Sequence, residues 1–218
     1  IPTILPDGSK FFPTGARRRN TNFGAVRLVA TDSNSFYNGL TLKLERKFAR
    51  GLQAGAAYTF AKSVDEGSST SSGDILNESQ GRNDPDNAKA ERGLSGFDQR
   101  HNFVLNFILD LPMGPGKLLG GNASGPIATL LQGWQLSSIL TAQVGTPFTP
   151  LVSFNRSRNL DQGNDRPNRK AGAAHVPILG TPEKWFDVGA AFELQPAGFY
   201  GNAGRNIIAG PNLHNLDV

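Results

Sequence analysis

The sequence contains no cysteine, and its 218 residues include a single methionine, Met113. The absence of cysteine excludes a disulfide framework and a thiol-ligated metal, although it does not by itself identify a cellular compartment. Because the first residue is Ile1, we expect a processed or truncated product that has lost any signal peptide.

Long apolar runs are also missing. The longest uncharged stretch covers residues 118–155, but glycine, proline, glutamine and serine interrupt it repeatedly. A membrane-spanning helix needs about 20 mostly apolar residues, so none is predicted. If the chain meets a bilayer, it does so as a β-sheet, because only helices and closed barrels satisfy every backbone group in lipid.

Signatures of catalysis and of metal binding are absent. Residues 114–117 resemble a phosphate-binding loop but lack its first glycine and the Ser or Thr after the lysine, so a turn is the better interpretation. The three histidines are far apart in the sequence, which argues against zinc. Clusters of Asn and Asp at 83–87 and 161–165 suit calcium, but Asx-rich turns explain both. We predict a non-enzymatic protein with no catalytic, cofactor-binding or metal-binding residues.

Glycine and proline are abundant, with 26 and 14 residues, which is typical of a chain rich in turns. The net charge of +4 includes one basic cluster formed by Arg17, Arg18 and Arg19. This short run lacks interleaved aromatic residues, so a solvated loop explains it better than a nucleic-acid site. No nucleic-acid partner is predicted.

Four segments alternate apolar and polar residues with a period of two. Apolar residues occupy mainly even positions in 40–48, 52–62 and 133–145, and odd positions in 99–110. Alternation sustained over such long segments is typical of transmembrane β-strands.

We predict an all-β fold, an antiparallel meander of about six long strands that forms part of a barrel or of an assembled β-structure. The predicted strands cover residues 21–30, 37–48, 52–62, 99–110, 133–145 and 206–218. A soluble β-sandwich is the alternative because its strands also alternate, but these segments are about twice as long as sandwich strands. The membrane-type geometry is therefore favoured.

The connections between the predicted strands differ greatly in length. We treat residues 1–218 as a single barrel-type segment with an N-terminal extension (1–20), a tight hairpin turn (48–51), two long loops (63–98 and 146–205) and a long turn (111–132). Outer-membrane barrels have short turns on the periplasmic side and long loops outside. Both long loops are therefore predicted on the outer side.

Several short sequence segments resemble segments of one protein family, and they occur in the same order along the chain. They cover residues 36–48, 51–52, 58–65, 90–101, 133–137, 145–148 and 201–206. They resemble the barrel strands of TonB-dependent receptor-like proteins, in the branch common in acidobacteria that carries an N-terminal carboxypeptidase-regulatory-like domain. The resemblance implies a bacterial outer-membrane barrel of about 22 strands with a plug, which imports bulky substrates with energy from TonB. With only about six strands and no plug, this chain would leave transport to the intact parent.

The alternation predicts one apolar face that contacts either lipid or a protein partner. Its members are Leu40, Leu42, Leu44, Tyr58, Phe60, Phe103, Leu105, Phe107, Trp134, Leu136 and Leu140. Tyr58, Phe60 and Trp134 lie near strand ends, where an aromatic girdle is expected. The opposite face is predicted to line the lumen with Lys43, Glu45, Gln53, Asn106, Gln135 and Gln143.

Six strands leave two unpaired edges, which favour pairing with another chain or segment. The predicted partners are copies of the chain or the rest of the parent barrel, together with outer-membrane lipid if the chain is part of a receptor. The N-terminal residues Ile1, Ile4, Leu5, Phe11 and Phe12 are apolar enough to add as a strand to a neighbouring edge. A loop tail of the parent barrel explains this segment equally well.

Two functions remain open. The first is a segment of an outer-membrane receptor whose uptake activity belongs to the intact protein. The second is a processed barrel fragment that self-assembles as the structural subunit of an extracellular filament or tube.

Overall fold

The computed structural model describes residues 1–18, 20–24, 30–68, 81–160, 165–173 and 175–218. The strands, in chain order, are β1 (Thr3–Ile4), β2 (Lys10–Phe11), β3 (Ser35–Ala49), β4 (Leu52–Asp65), β5 (Gly93–Leu94), β6 (His101–Asp110), β7 (Gln135–Gln143), β8 (Pro147–Phe148), β9 (Asn168–Arg169), β10 (Phe192–Glu193), β11 (Ile208–Ala209) and β12 (Leu213–Asp217). The helices are a 3-10 helix (Ala88–Glu91), α1 (Gly125–Leu131) and α2 (Val188–Ala191). None of the helices formed by these residues has the length and apolarity needed to cross a membrane.

The main sheet has six strands. Five of them follow the order β12-β7-β6-β4-β3, so strands that are successive in this sheet along the chain are also neighbours in space, and β5 pairs with the end of β4. The strand pairs β4–β6, β6–β7 and β7–β12 are antiparallel. The predicted all-β antiparallel meander is confirmed. Within the described residues, β3 and β12 are the two edges, so the sheet is open, as expected of part of a barrel.

Two of the predicted strands differ from the observed ones. The strand predicted at 206–218 is divided into β11 and β12, because Pro211 has no N–H for a ladder and the N–H of Gly210 binds the carbonyl of Thr146. The strand predicted at 21–30 is wrong for residues 21–24, which form a turn and a bend. There the side chain of Asn20 accepts a hydrogen bond from the N–H of Asn22, which favours a turn. Residues 25–29 lie outside the described residues.

The chain divides into two compact units. The sheet unit comprises Gly39–Ala61, Gln99–Val144 and Asn212–Val218, and the loop unit comprises Ile1–Asn38, Lys62–Asp98 and Gly145–Pro211. Both predicted long loops belong to the loop unit. The predicted long turn at 111–132 belongs to the sheet unit and contains α1.

The loop unit has an apolar core of its own. Ala191, Phe192, Ala203 and Ile208 are buried, and four partly buried side chains pack against them: Phe148, Val176, Phe186 and Ile207. The unit also contains three two-stranded sheets, formed by β1 with β2, β8 with β11 and β9 with β10. The segment predicted as the second long loop, residues 146–205, therefore folds into structured elements around this core.

Candidate functional site

The register of β4, β6 and β7 places the predicted apolar residues on one face of the main sheet. Tyr58 lies opposite Phe103, and Leu105 lies opposite Leu140. Since alternate residues of a strand share a face, these pairs define a continuous surface across the three strands. We call it the apolar face; its members here are Tyr58, Phe60, Phe103, Leu105, Phe107, Leu136 and Leu140.

The leucines of β3 belong to the same surface. The hydroxyl oxygens of Thr41 and Thr59 are 3.1 Å apart, so the odd residues of β3 and β4 share the opposite face. Leu40, Leu42 and Leu44 are even residues and therefore lie on the apolar face with Tyr58. The odd or even positions that the sequence assigns to the apolar face therefore lie on one face of the sheet in β3, β4, β6 and β7.

The sheet unit does not cover this face. Leu40, Leu42 and Leu44 are 58%, 57% and 74% exposed, and Leu216, which lies opposite Leu140, is 61% exposed. A contiguous exposed apolar surface marks a membrane or protein contact. Contact with lipid or a partner stays a prediction. Leu52 and Leu109 share the face as well, as their parity in the sequence indicates, and so does Leu216.

Aromatic residues lie at both ends of the apolar face. At one end, the hydroxyl of Tyr58 is 2.7 Å from His101 Nδ1, and the rings of Phe60 and His101 are 5.2 Å apart. At the other end, Trp134 donates from its indole nitrogen to the carbonyl of Leu130 at 2.7 Å. In the sequence His101 is one of three widely separated histidines, and the structure places it in this aromatic group.

The distance between the two aromatic ends follows from the register. His101 lies opposite Phe60, and the N–H of Leu111 binds the carbonyl of Trp134, so ten residue steps of β6 separate the two rows. At about 3.3 Å per residue this is about 33 Å along the strand. A strand tilt of about 40° reduces it to about 25 Å along the membrane normal, which is the height of the apolar band of outer-membrane barrels.

The opposite face is mixed rather than uniformly polar. Gln53, Asn106, Gln135 and Gln143 lie on it as predicted, and Gln135 donates to Asp110 at 2.7 Å. Val104, Ile108 and Ile139 interrupt the polar residues on the same face. A Cβ atom at Gly55 would lie 2.6 Å from Asn106 Oδ1, so this glycine leaves room for the Asn106 side chain.

Among its described residues the loop unit contains two buried ion pairs that the sequence did not reveal. Arg166 pairs with Glu91, and both side chains are 2% exposed. Arg205 pairs with Asp65, and both are buried. Arg205 also donates to the backbone carbonyl of Glu91 at 2.9 Å, so the two pairs are adjacent. Buried charges are tolerated when they are paired and hydrogen-bonded, and these pairs connect segments that are distant in the sequence.

Neutral polar side chains extend this buried network. The backbone N–H of Asn206 donates to the hydroxyl of Thr149 at 3.0 Å, and its side-chain amide donates to the carbonyl of Leu94 at 2.7 Å. The backbone N–H of Ser63 donates to Asp98 at 2.6 Å. The network therefore joins both predicted long loops.

The predicted strand-addition segment forms a hairpin with itself. Thr3 pairs with Phe11 and Ile4 with Lys10, and the N–H of Phe12 donates to the carbonyl of Gly198 at 2.8 Å. Phe12 is buried, whereas Ile1 and Ile4 are exposed, and Leu5 accepts the turn hydrogen bond from Gly8. Strand addition to a neighbour stays a prediction, and it would require this hairpin to open.

The two Asx-rich segments have protein partners. The ammonium of Lys10 donates to Asp84 at 2.7 Å and to Asp86 at 2.8 Å. Asp165 accepts hydrogen bonds from the backbone N–H and the hydroxyl of Ser157, both at 2.7 Å. Residues 161–164 lie outside the described residues. No three histidine, aspartate or glutamate side chains gather into a metal site in the part of the chain that the structure describes.

Comparison with known families agrees with the geometry of the sheet. The family model described as "Outer membrane beta barrel domain" matches residues 3–218. No curated protein and no solved structure matches the chain. The match supports the barrel interpretation and gives no support to the filament alternative. Because it covers nearly the whole sequence, the chain belongs to the outer membrane β-barrel domain family, a family of the bacterial outer membrane.

Proposed function

We propose that this chain is a lipid-facing barrel segment of a TonB-dependent receptor-like protein, in which uptake is a property of the intact parent. The observation that carries the proposal is the apolar face. The distance along the strands between its two aromatic ends, Phe60 with His101 at one end and Trp134 at the other, corresponds to about 25 Å along the membrane normal. Lipid contact explains both the exposure of the leucines and the aromatic residues at the two ends.

The edges of the sheet specify the partner. β3 is a 15-residue strand at one edge and β12 forms the other edge. Unpaired backbone groups are costly inside a bilayer, so a spanning sheet has to continue into further strands. The partner at both edges is therefore the rest of the parent barrel. The receptor-like character is supported by the sequence phrases and by a structured loop unit, since binding residues are concentrated on loops that a scaffold positions.

Cysteine labelling tests the orientation of the two faces. Because the sequence contains no cysteine, an introduced cysteine is the only labelling site in these 218 residues. Single cysteines at Leu136 and Leu140 probe the apolar face, while single cysteines at Gln135 and Thr141 are matched controls on the opposite face of the same strand. The full-length parent protein, reconstituted in lipid vesicles, is treated with a membrane-impermeant maleimide. We expect labelling at 135 and 141 and protection at 136 and 140 until detergent is added.

The outcomes separate the two functions that the sequence left open. Protection of 136 and 140 in detergent-free and lipid-free buffer would indicate burial in a protein assembly and would contradict the proposal. Photo-crosslinking of the full-length protein to TonB in cells tests the receptor-like character separately. Absence of that cross-link with alternating labelling intact would leave an outer-membrane barrel of a different kind.

A further inference from the structure

The loop unit contains a cleft that is lined by none of the strands of the main sheet. Its volume is about 450 Å³, and its walls come from the N-terminal segment, from the turn at Arg158 and Leu160, and from Tyr200. Small-molecule sites are commonly about 300–1,000 Å³. The cleft therefore has the size of a site for a small organic molecule.

Positive charge predominates in this cleft. Among the described residues that line it are Lys10, Arg17, Arg18 and Arg158, together with one carboxylate, Asp86. Lys10 is already neutralised by Asp84 and Asp86. None of the ion pairs between described residues includes one of the three arginines. Three guanidinium groups that have no carboxylate partner among the described residues give the cleft an excess of positive charge that favours an anion.

The backbone at Arg158 is held in an unfavourable conformation. Arg158 and Leu160 have φ angles of +60° and +69°, in the left-handed region that residues other than glycine rarely adopt. Hydrogen bonds on the N-terminal side of the turn hold the chain there: Ser157 binds Asp165, and Arg156 donates to the carbonyl of Gln195. Backbone strain of this kind is concentrated at functional sites. Here it accompanies an arginine that lines the cleft.

Another wall of the cleft is aromatic. Phe12 packs edge-on against Tyr200 with ring centroids 5.5 Å apart, and Phe23 also lines the cleft. Burial raises the pKa of Tyr200 to about 12, and its hydroxyl forms a hydrogen bond with the side chain of Asn159, which also lines the cleft. Aromatic surface next to arginine suits a planar ligand that carries a negative group.

We infer that this cleft binds a small organic anion with a planar apolar body and a carboxylate or phosphate group, which contacts Arg158 and Arg17. Guanidinium groups bind both kinds of oxyanion through paired hydrogen bonds. The inference deepens the proposed function by naming the class of compound that the loops recognise, while its evidence comes from the loop unit alone.

Calorimetry on the full chain in detergent tests this inference with three probes of one shape. 2-Naphthoate and 2-naphthyl phosphate are anionic, and 2-naphthamide is a neutral analogue. We expect both anions to bind at least about tenfold more tightly than the amide, as hydrogen bonds to charged groups predict. Inorganic phosphate should bind more weakly than naphthyl phosphate, since it has no apolar body.

A matched pair of substitutions assigns the binding to Arg158. Arg158→Gly removes the guanidinium group and relieves the positive φ, so the loop is expected to fold. Arg50→Gly is the control, because Arg50 has a φ of +53° in the turn between β3 and β4 and the net charge changes equally. We expect Arg158→Gly to weaken anion binding about tenfold and Arg50→Gly to leave it unchanged.

Equal binding of the anions and the amide, or equal loss in the two variants, would overturn the inference. If cysteine labelling of the main sheet alternates but no anion binds, the inference about the cleft is wrong and the proposed lipid-facing barrel segment still stands. Anion binding without that alternation would retain the cleft and reject the lipid-facing sheet. The two proposals can therefore fail separately.

Discussion

Arg205 pairs with Asp65 across 140 residues of sequence, and neither side chain is more than 4% exposed. The guanidinium group also donates to the hydroxyl of Ser68 and to the carbonyl of Glu91. Asp65 ends β4, so this one side chain links the end of a long strand to both predicted long loops. The loop unit is held together by buried charge as well as by its small apolar core.

Arg205→Ala is predicted to open the loop unit locally. Removing one partner leaves Asp65 buried without its counter-charge, which costs about 3–5 kcal/mol. Hydrogen exchange of the Ser63 and Ser95 amides should accelerate strongly, while amides of β6 serve as the internal reference. Arg82→Ala, which removes the exposed pair with Asp32, is the control and should leave these rates unchanged. Unchanged exchange in Arg205→Ala would show that the pair does not stabilise the unit.

Leu140→Arg is predicted to impair folding into lipid. Leu140 lies four residues from the His101 row and six from Trp134, close to the middle of the apolar face. An arginine near the bilayer midplane costs about 2–4 kcal/mol. Urea titration of the folding of the full-length parent protein into vesicles measures this loss. Thr141→Arg, one residue along the same strand but on the opposite face, should fold nearly as well as the unsubstituted protein. Equal losses in the two variants would contradict the assignment of faces.

Gly201→Ala is predicted to destabilise the loop unit by steric overlap. A Cβ atom at this position would overlap the carbonyl oxygen of Arg166 and lie 2.6 Å from that of Pro167. Overpacking against backbone costs about 1–3 kcal/mol, which thermal unfolding will detect. Gly67→Ala is the control, because no atom lies within 4 Å of its added methyl group. A Gly201→Ala chain as stable as Gly67→Ala would mean that the segments at Gly201 and at Arg166–Pro167 move apart easily.

The pKa of Tyr200 predicts a loss of stability at high pH. Burial raises this pKa from 10.0 to about 12, against a smaller lowering by the hydrogen bond with Asn159. Because the pKa is higher in the folded state, the stabilisation is complete below pH 10 and is lost as the pH rises toward 12. Its size is less than about 3 kcal/mol, because each pKa unit corresponds to about 1.4 kcal/mol and the partial exposure of this side chain reduces the effect.

Tyrosinate absorbance measured against pH tests this prediction. An ionisation step with a pKa near 12, assigned to Tyr200, should be present in the unsubstituted chain and in Tyr37→Phe, which removes an exposed tyrosine. It should disappear in Tyr200→Phe. The difference in unfolding free energy between the unsubstituted chain and Tyr200→Phe should change over the same pH range. A late step that persists in Tyr200→Phe would contradict the burial of this hydroxyl.

The sequence by itself determined which residues of the main sheet share a face. Side chains alternate along a strand whatever surrounds it, so the positions of Leu105 and Leu140 follow from parity once their strands pair in register. The same local rules predicted the tight turn at 48–51, where Gly51 has a φ of +79°. Residues 21–24 of the strand predicted at 21–30 show the limit of such rules, since an Asx turn at Asn20 overrides the β-pattern there.

Only the tertiary structure decided how the long loops fold. The partners of Arg166 and Arg205 lie 75 and 140 residues away, and no local pattern distinguishes a buried arginine from a solvated one. Arg17 and Arg18 illustrate the same limit, because the sequence places them in a solvated basic loop and does not indicate that they line a cleft with Arg158. Burial and charge pairing depend on which distant segments meet, and that is a property of the folded chain rather than of any stretch of its sequence.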